Sequence, residues 1–359
     1  MARPRLPPAA AIAPYLERID EARWYSNFGP LLTEFEARLG ERFGPGAHVA
    51  TAVNATQALA LTLQAMDLPR GALCAMPSWT FVATAHAAIQ AGLTPWFLDV
   101  DPATWMLDPE RVREALPRAP GPVAVVMPVA PFGRPMDLGA WLDFRDATGL
   151  PVLIDAAAAF DTAADAALPS VVSLHATKVL GIGEGGFLAT QDPALAKRVM
   201  QLTTYGFQGD RASRFVATNA KLSEYAAAVG LAALDAWPLD RLRWLRAAQM
   251  LRMAMADLPQ VVFQPGWGSS WITSVCTVGL PEGVGAAVEA GFRSRGVDTR
   301  RWWGQGCHES PAFAGSPRDA LPHTLELAGS TIGLPFAIDL DVEDARRIAA
   351  AMSETLRSL

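Results

Sequence analysis

Residues 151–190 read PVLIDAAAAFDTAADAALPSVVSLHATKVLGIGEGGFLAT, and this stretch decides the fold. Two short apolar runs each end in a polar residue, the first in Asp155 and the second in Ser173. Uninterrupted apolar runs of this length, separated by longer segments, are typical of parallel strands covered by helices on both faces. Lys178 and a glycine-rich run, residues 181–186, follow the second strand. The stretch therefore predicts an α/β protein.

The same alternation continues on both sides of this stretch. Leu31, Phe35 and Leu39 have helical spacing, and Thr56 precedes a second helical pattern. Apolar strands separated by helices favour a largely parallel sheet. From the pattern we predict helices at 30–39 and 57–66, and strands at 74–76, 95–100, 122–129, 152–154, 171–173 and 187–190.

The pattern changes after about Trp237. A long helical stretch there is followed by strand-like runs and two further helices, which predicts a smaller α+β domain. We therefore expect a large domain over residues 1–236 and a small C-terminal domain over 237–359. The elements predicted in the second domain are helices at 241–255, 284–295 and 342–356 and strands at 261–263 and 272–278.

Composition limits the function classes. The 359 residues are 51% hydrophobic and 18% charged, which excludes a disordered chain, and the net charge of -6 does not favour nucleic acid or anionic membranes as partners. The cysteines, Cys74, Cys276 and Cys307, lack the paired spacing of a disulfide framework or a zinc site. The cysteine spacing therefore leads us to expect no metal site. No secretory signal and no apolar run of membrane-spanning length is visible, so we expect a cytoplasmic protein.

Ligands of parallel α/β sheets bind beyond the carboxyl ends of the strands, so residues there are candidates for a functional site. Asp155 fits this position, although taken alone a helix cap or a structural ion pair explains it better. Lys178 precedes the glycines, so the run is not a phosphate-binding P-loop. Thr56 could be a helix cap or part of a phosphate site. Phe81 could belong to the core or stack on a flat ligand.

Taken together, these segments resemble the pyridoxal-phosphate-dependent sugar aminotransferases of the DegT/StrS type, which have fold type I. The resemblance extends from about Tyr25 to the C-terminus. It implies a large domain with a mostly parallel seven-stranded sheet flanked by helices, and a smaller C-terminal α+β domain. The segments that carry it are YSNFGP (25–30), ATQAL (55–59), PSWTFVAT (77–84), LDVD (98–101), FGRP (132–135), IDAA (154–157), SLHATK (173–178), GEGG (183–186), NAKLS (219–223) and GLP (333–335).

The resemblance also implies roles for individual residues. Lys178 matches the lysine that forms a Schiff base with the cofactor, and Asp155 matches the aspartate that pairs with the pyridine nitrogen. Phe81 matches the aromatic residue that stacks on the ring. The matching phosphate cradle is Ala55, Thr56 and Ser173, and Asn219 matches a residue that reaches the phosphate of the other subunit. A homodimer with shared active sites follows from this match.

The reaction implied by the resemblance is transamination of a nucleotide-linked keto sugar. L-Glutamate would be the amino donor, and the cofactor would pass through pyridoxamine phosphate. A dTDP- or GDP-linked 4-keto-6-deoxyhexose is the expected acceptor. Residues chosen as substrate contacts, by their position near family substrate segments, are Trp24, Tyr25, Tyr205, Lys221, Arg300 and His308.

Three positions depart from the family pattern. Ala158 stands where the family usually has Gln or His, Ala130 where it often has His, and Ala55 where it usually has Gly. The loss at Ala158 mildly favours a non-catalytic, cofactor-binding regulatory protein as an alternative.

Two further alternatives are weaker. Sugar dehydratases of this family replace the lysine by histidine, and Lys178 counts against that alternative. His175 is therefore expected to be structural or to line the pocket. A nicotinamide dehydrogenase would need a glycine fingerprint after the first strand, which residues 74–77 lack.

Overall fold

The computed structural model describes residues 3–359, so residues 1 and 2 of the predicted first domain lie outside it. The helices are α1 (Ala9–Ala22), α2 (Pro30–Arg42), α3 (Ala55–Ala65), α4 (Val82–Gln90), α5 (Pro109–Ala115), α6 (Leu138–Thr148), α7 (Pro193–Leu202), α8 (Glu224–Ala254), α9 (Gly285–Ser294), α10 (Pro322–Ser330) and α11 (Val342–Arg357). The strands are β1 (His48–Ala52), β2 (Leu73–Pro77), β3 (Thr94–Leu98), β4 (Val123–Val126), β5 (Ile154–Asp155), β6 (Ser170–Ser173), β7 (Gly186–Thr190), β8 (Val262–Phe263), β9 (Cys276–Gly279) and β10 (Thr331–Leu334).

The first seven strands form two sheets that meet edge to edge. One has the order β3-β2-β4 and is entirely parallel, and the other has the order β1-β7-β6-β5. In the second sheet β5 and β6 are parallel, whereas β7 runs antiparallel to both of its neighbours. Isolated parallel bridges, Val126 to Val152 and Val129 to Asp155, join the two sheets. The α/β class is therefore as predicted.

The expectation of one seven-stranded sheet requires correction. Between β4 and β5 the backbone carbonyls of Pro151 and Pro128 accept from Val126 and Asp155, at 2.9 Å in each case. Proline has no N–H to return a bond, so the ladder is reduced to isolated bridges at this junction. The result is a four-stranded and a three-stranded sheet in contact, with a two-residue strand, β5, at the boundary.

Some elements differ from the pattern-based expectations. β1 was not predicted, because its sequence, HVATA, is short and poor in large apolar residues. β10 was also not predicted. The strand predicted at 272–278 is confined to Cys276–Gly279, because the backbone N–H of Ile272 donates to the Asp161 carboxylate (3.0 Å) instead of to a neighbouring strand.

Helix α8 crosses the predicted domain boundary between residues 236 and 237. It begins at Glu224, well before the predicted start at 241, and continues through Pro238. Helix α8 packs against α1 and α2, which belong to the predicted first domain, and against α11, which belongs to the predicted second domain. The antiparallel sheet β8-β9-β10 and helices α9 and α11 lie C-terminal to it. The division into two domains stays a prediction.

No helix between residues 3 and 359 combines the length and the apolar character needed to cross a bilayer.

The start of α8 also fixes the start of α2. The Glu224 side chain is buried, and its two carboxylate oxygens accept from the backbone N–H groups of Leu31 (2.8 Å) and Leu32 (3.0 Å). Helix α2 has no side-chain cap of its own, since Gly29 occupies its N-cap position. A Cβ atom at Gly29 would lie 2.6 Å from the Glu224 Cδ, so glycine permits this approach. Glu224 therefore caps a helix that is remote in sequence.

We expect Glu224→Ala to lower the free energy of unfolding by about 1–3 kcal/mol, because two buried N–H groups lose their acceptor. Urea unfolding followed by circular dichroism measures this change. Glu41→Ala is the matched control, since Glu41 is exposed on α2, and it should change stability by less than about 0.5 kcal/mol. Equal stability of the two variants would contradict the capping role.

Candidate active site

The candidate site lies where β5 and β6 end beside the first turns of α3 and α4. Asp155 ends β5 and Ser173 ends β6, and the two strands are parallel neighbours. Parallel neighbours end at the same edge of a sheet, so these polar residues share that edge, as ligand-binding residues of α/β proteins do.

Asp155 is a buried carboxylate, 4% exposed, that is satisfied from two directions. The Thr84 hydroxyl, in the first turn of α4, donates to Oδ2 at 2.7 Å, and the backbone N–H of Ala157 donates to Oδ1 at 3.1 Å. Burial raises the pKa of Asp155, while these two hydrogen bonds and the charge of Lys178 act to lower it. The carboxylate therefore favours a further cation at this position.

Lys178 lies in the loop after β6 and is half-buried. Burial lowers the pKa of its amine, and the negative charge of Asp155 opposes that change. A lysine with a lowered pKa has more of its amine in the neutral, nucleophilic form than a surface lysine has. The sequence contains two other lysines, of which Lys197 is exposed on α7 and Lys221 lies near Tyr205.

The N-terminus of α3 corrects one expectation. Asn54, not Thr56, is the N-cap, because its side chain accepts from the backbone N–H of Gln57 at 2.9 Å. Thr56 instead occupies the second position of the helix. The first N–H groups of a helix lack internal partners and, together with the helix dipole, favour an anion.

A close backbone contact brings this helix end to the strand edge. A Cβ atom on Gly186 would lie 2.4 Å from the backbone nitrogen of Ala55, so only glycine is compatible with this approach. Gly186 pairs with Ser173 across β6 and β7. Ala55, Thr56 and Ser173 are thereby brought into one region. The Ser173 Oγ accepts from the backbone N–H of His175 at 3.2 Å, which leaves its proton for another acceptor.

The His175 side chain contacts residues of its own loop. Its Nδ1 lies 2.8 Å from the Thr177 hydroxyl, and its Nε2 lies 3.6 Å from a Glu184 oxygen. Nδ1 therefore has a hydrogen-bond partner within the same loop, and Nε2 faces an exposed carboxylate beyond hydrogen-bond distance. This geometry is compatible with the structural role expected for His175.

Phe81 is not a core residue. It is 59% exposed, directly before α4, and it borders a cleft of about 520 Å³. The cleft is also lined by residues 300–307 and 309–311, which include Arg300 and Trp302. The Arg300 guanidinium lies 4.9 Å from the Trp302 ring centroid. An exposed phenylalanine beside a buried polar site suits stacking on a flat ligand.

His308 does not face this cleft with free nitrogens. Its side chain is buried, with Nδ1 2.6 Å from the Ser78 Oγ and Nε2 3.1 Å from a Glu309 oxygen. Burial lowers the pKa of His308, although the Glu309 charge opposes this. The predicted substrate contact is thus engaged in contacts within the protein, between the segment after β2 and the C-terminal region.

Asn219, Lys221 and Tyr205 form a separate group. The Lys221 amine donates to the Asn219 side-chain oxygen and lies 5.4 Å from the Tyr205 ring centroid. The backbone N–H of Val53 donates to the carbonyl of Ala220 at 2.9 Å, which places this segment beside the turn that precedes α3.

Trp24 and Tyr25 lie at the surface, each about half exposed. The Tyr25 ring stacks on that of Tyr225, with centroids 6.3 Å apart and planes 14° apart. Within residues 3–359, neither Trp24 nor Tyr25 makes a hydrogen bond to Asp155 or Lys178.

Ala130 and Ala158, two of the departures from the family pattern, contact this region through their backbones. The backbone N–H of Ala130 donates to the Asp155 carbonyl at 2.9 Å. The carbonyl of Ala158 would lie 2.5 Å from a Cβ on Gly133, so backbone approaches backbone closely here. Neither alanine supplies a polar side chain to the site.

Sequence reasoning missed Thr84 as the partner of Asp155. Its Oγ also lies 2.7 Å from the Thr80 Oγ, and both threonines are buried. The available signal was the position of both threonines shortly after a strand end, where polar groups of a parallel sheet collect.

The donor set fits one kind of ligand. A buried carboxylate suits a cationic ring nitrogen, and an amine of lowered pKa suits a carbonyl carbon. A helix N-terminus with two hydroxyls suits a phosphate. Together, residues Asp155, Lys178, Thr56 and Ser173 match the chemical groups of pyridoxal phosphate.

Comparison with known proteins agrees with this. The sequence profile of the "DegT/DnrJ/EryC1/StrS aminotransferase family" matches residues 9–353. The chain is 34% identical to a dTDP-4-amino-4,6-dideoxy-D-glucose transaminase of Shigella dysenteriae, over 65% of this chain and 64% of that protein. It is 30% identical to a dTDP-3-amino-3,4,6-trideoxy-alpha-D-glucose transaminase of Streptomyces venezuelae, over 96% of this chain and 91% of that protein.

A solved structure shows the same fold. The crystal structure of DesI in the presence of its TDP-sugar product superimposes with a TM-score of 0.87 and 34% identity, covering 99% of this chain and 94% of that chain. The family match spans nearly the whole chain and includes all three sheets described above. The chain therefore belongs to the DegT/DnrJ/EryC1/StrS family of pyridoxal-phosphate-dependent sugar aminotransferases.

Proposed function

We propose that this protein transfers an amino group from L-glutamate to a nucleotide-linked keto sugar, with pyridoxal phosphate bound through Lys178. The acceptor of this proposal is a dTDP- or GDP-linked 4-keto-6-deoxyhexose. The observation that carries it is a buried carboxylate, Asp155, that is bonded by Thr84 and lies close enough to Lys178 for the two charges to act on each other, beside a helix N-terminus.

Five further residue assignments follow from the family resemblance. Phe81 would cover one face of the cofactor ring, because it is exposed directly before α4, the helix whose Thr84 donates to Asp155. The N-terminus of α3, with Ala55 and Thr56, and the free hydroxyl proton of Ser173 would hold the phosphate. Asn219 would reach the phosphate bound in a second copy of the chain, so we also propose a homodimer.

The residues have distinct tasks in the reaction. Pyridoxal phosphate supplies an electron-accepting ring that stabilises negative charge on a substrate carbon. Asp155 would hold a proton on the ring nitrogen, which would maintain that electron-accepting capacity. The Lys178 amine would hold the cofactor and, when free, would act as the base and acid that moves a proton at the donor α-carbon. The same residues would serve the keto sugar, so donor and acceptor would use one site in turn.

Two observations support the acceptor class. Arg300 and Trp302 line the cleft beside Phe81, and an arginine beside an aromatic ring suits a diphosphate joined to a planar base. The relatives named above act on dTDP-linked sugars. They differ in the ring carbon that carries the amine, and the 4-keto proposal follows the relative with the higher identity.

The absorption spectrum of the purified protein tests this function. With pyridoxal phosphate, we expect a near-visible band that bleaches on addition of L-glutamate, because the first half-reaction leaves the cofactor aminated. Adding dTDP-4-keto-6-deoxyglucose should restore the band and yield an amino sugar detectable by mass spectrometry. Absence of any band would contradict the cofactor assignment. Bleaching without product from dTDP- or GDP-linked 4-keto sugars would contradict the acceptor assignment alone.

Lys178→Ala should abolish turnover, because no other amine can hold the cofactor and move the proton. Lys197→Ala, an exposed lysine on α7, is the matched control and should keep wild-type activity. Borohydride reduction followed by peptide mapping gives an independent readout, since only three lysines can carry the label. A label on Lys197 or Lys221, or normal turnover of Lys178→Ala, would show that the assignment is wrong.

Asp155→Ala should retain some cofactor binding and lose about 10²–10³-fold in turnover, since an oriented charge is removed from the reacting group. Steady-state rates at saturating cofactor measure this loss. Asp257→Ala, an exposed aspartate after α8, serves as the control. A rate for Asp155→Ala within a few-fold of wild type would remove the ring-nitrogen role.

A further inference from the structure

A chain of buried hydroxyl groups lies behind the Asp155 carboxylate. The Thr84 Oγ is 2.7 Å from Asp155 Oδ2, and the Thr80 Oγ is 2.7 Å from the Thr84 Oγ. Thr84 is fully buried and Thr80 is 1% exposed, so neither hydroxyl has bulk water as a partner. Thr80 also borders the cleft that contains Phe81 and Arg300.

The ionised state of Asp155 fixes the direction of these hydrogen bonds. A carboxylate can only accept, so the single hydroxyl proton of Thr84 is donated to Asp155. Thr84 then has no proton left for Thr80, and Thr80 must donate to Thr84. Both hydroxyl dipoles therefore point at the carboxylate, and each bond polarises the next.

We propose that Thr84, supported by Thr80, is a positioning residue that holds the Asp155 carboxylate ionised and correctly oriented for a cationic ring nitrogen. This inference rests on the proposed function for the identity of that cation. With Oδ2 bound by Thr84 and Oδ1 bound by the Ala157 N–H, both oxygens are anchored and the carboxylate plane is fixed.

The charges around Asp155 show why such support matters. Within the described residues, Lys178 is the ionised group whose charge acts on Asp155, from the loop after β6. Helix α4 contributes the Thr84 hydroxyl, and the segment after β5 contributes the Ala157 N–H; neither is titratable at neutral pH. Burial raises the pKa of Asp155, and the bond from Thr84 is foremost among the influences that lower it.

Removal of the Thr84 donor should therefore raise the pKa of Asp155 further and favour the protonated carboxyl at a given pH. A protonated carboxyl is neutral and attracts a cationic ring less. The effect on cofactor binding should accordingly be largest at low pH and should decrease as the pH rises and Asp155 ionises again.

The decisive experiment uses Thr84→Val, which keeps the side-chain shape and removes the donor, and Thr84→Ser, which restores a hydroxyl. Thr355→Val is the matched control, because Thr355 is a buried threonine on α11 that donates to a backbone carbonyl (2.7 Å) remote from Asp155 in sequence. Thr80→Val removes only the second hydroxyl. Circular dichroism establishes that each variant is folded.

The first readout needs no cofactor. The infrared carboxyl band that is absent in Asp155→Asn reports protonation of Asp155 in the cofactor-free protein. We expect its titration midpoint to move to higher pH in Thr84→Val and, by less, in Thr80→Val, and to stay at the wild-type pH in Thr84→Ser and Thr355→Val. Unchanged midpoints in both Thr84→Val and Thr80→Val would overturn the proposal. If Thr84→Val does not fold, the Thr80→Val midpoint decides by itself.

The second readout is the dissociation constant of pyridoxal phosphate as a function of pH. Thr84→Val should bind about 10-fold more weakly than wild type below the Asp155 midpoint, with the difference shrinking above it. A uniform loss at every pH would indicate a merely structural role and overturn the proposal. If the wild-type protein does not bind pyridoxal phosphate, the proposed function fails, whereas the infrared titration still decides whether Thr84 controls the carboxylate.

Discussion

A carboxylate withdrawn from water at the end of a strand is the constraint on which the rest of this site depends. An ionised group in such a place is unfavourable unless donors and a cation compensate for the lost hydration. Two groups donate hydrogen bonds to Asp155, the Thr84 hydroxyl in the first turn of α4 and the backbone N–H of Ala157. The positive charge of Lys178, in the loop after β6, also acts on it. Each contribution comes from a different element, so the relative placement of these elements determines how the carboxylate is charged.

Close backbone contacts maintain that placement. Gly186 lets β7 approach the first residue of α3, and Gly133 lets its loop approach the carbonyl of Ala158. Because these contacts join backbone to backbone, they leave little freedom for the helix end and the strand edge to separate. The same edge then carries a helix N-terminus, hydroxyls, an amine and the Asp155 carboxylate, whose chemistry suits a cofactor with a phosphate, a carbonyl and a ring nitrogen. Membership of a family of pyridoxal-phosphate-dependent aminotransferases agrees with this chemistry.

Several features could be inferred from sequence for clear physical reasons. The apolar runs that end at Asp155 and Ser173 are buried strands, and motif order along the chain identified the family correctly. Other features could not. A single seven-stranded sheet was expected, but Pro128 and Pro151 interrupt the ladder between β4 and β5. Strand β1 lacks large apolar residues, and the long helix α8 continues through Pro238, where a boundary between domains was expected.

The sequence by itself determined the α/β class, the strand-end positions of Asp155 and Ser173, and the presence of Lys178 in the following loop, because these depend on local periodicity and on motif spacing. Only the tertiary structure decided which groups meet. It placed Thr84 on Asp155, left Phe81 exposed at a cleft shared with Arg300, and committed both ring nitrogens of His308 to neighbours. The partners of Asp155 and His308 in these bonds lie 71 and 230 residues away along the chain. Periodicity carries no information about such distant pairs, because they arise from how whole elements pack.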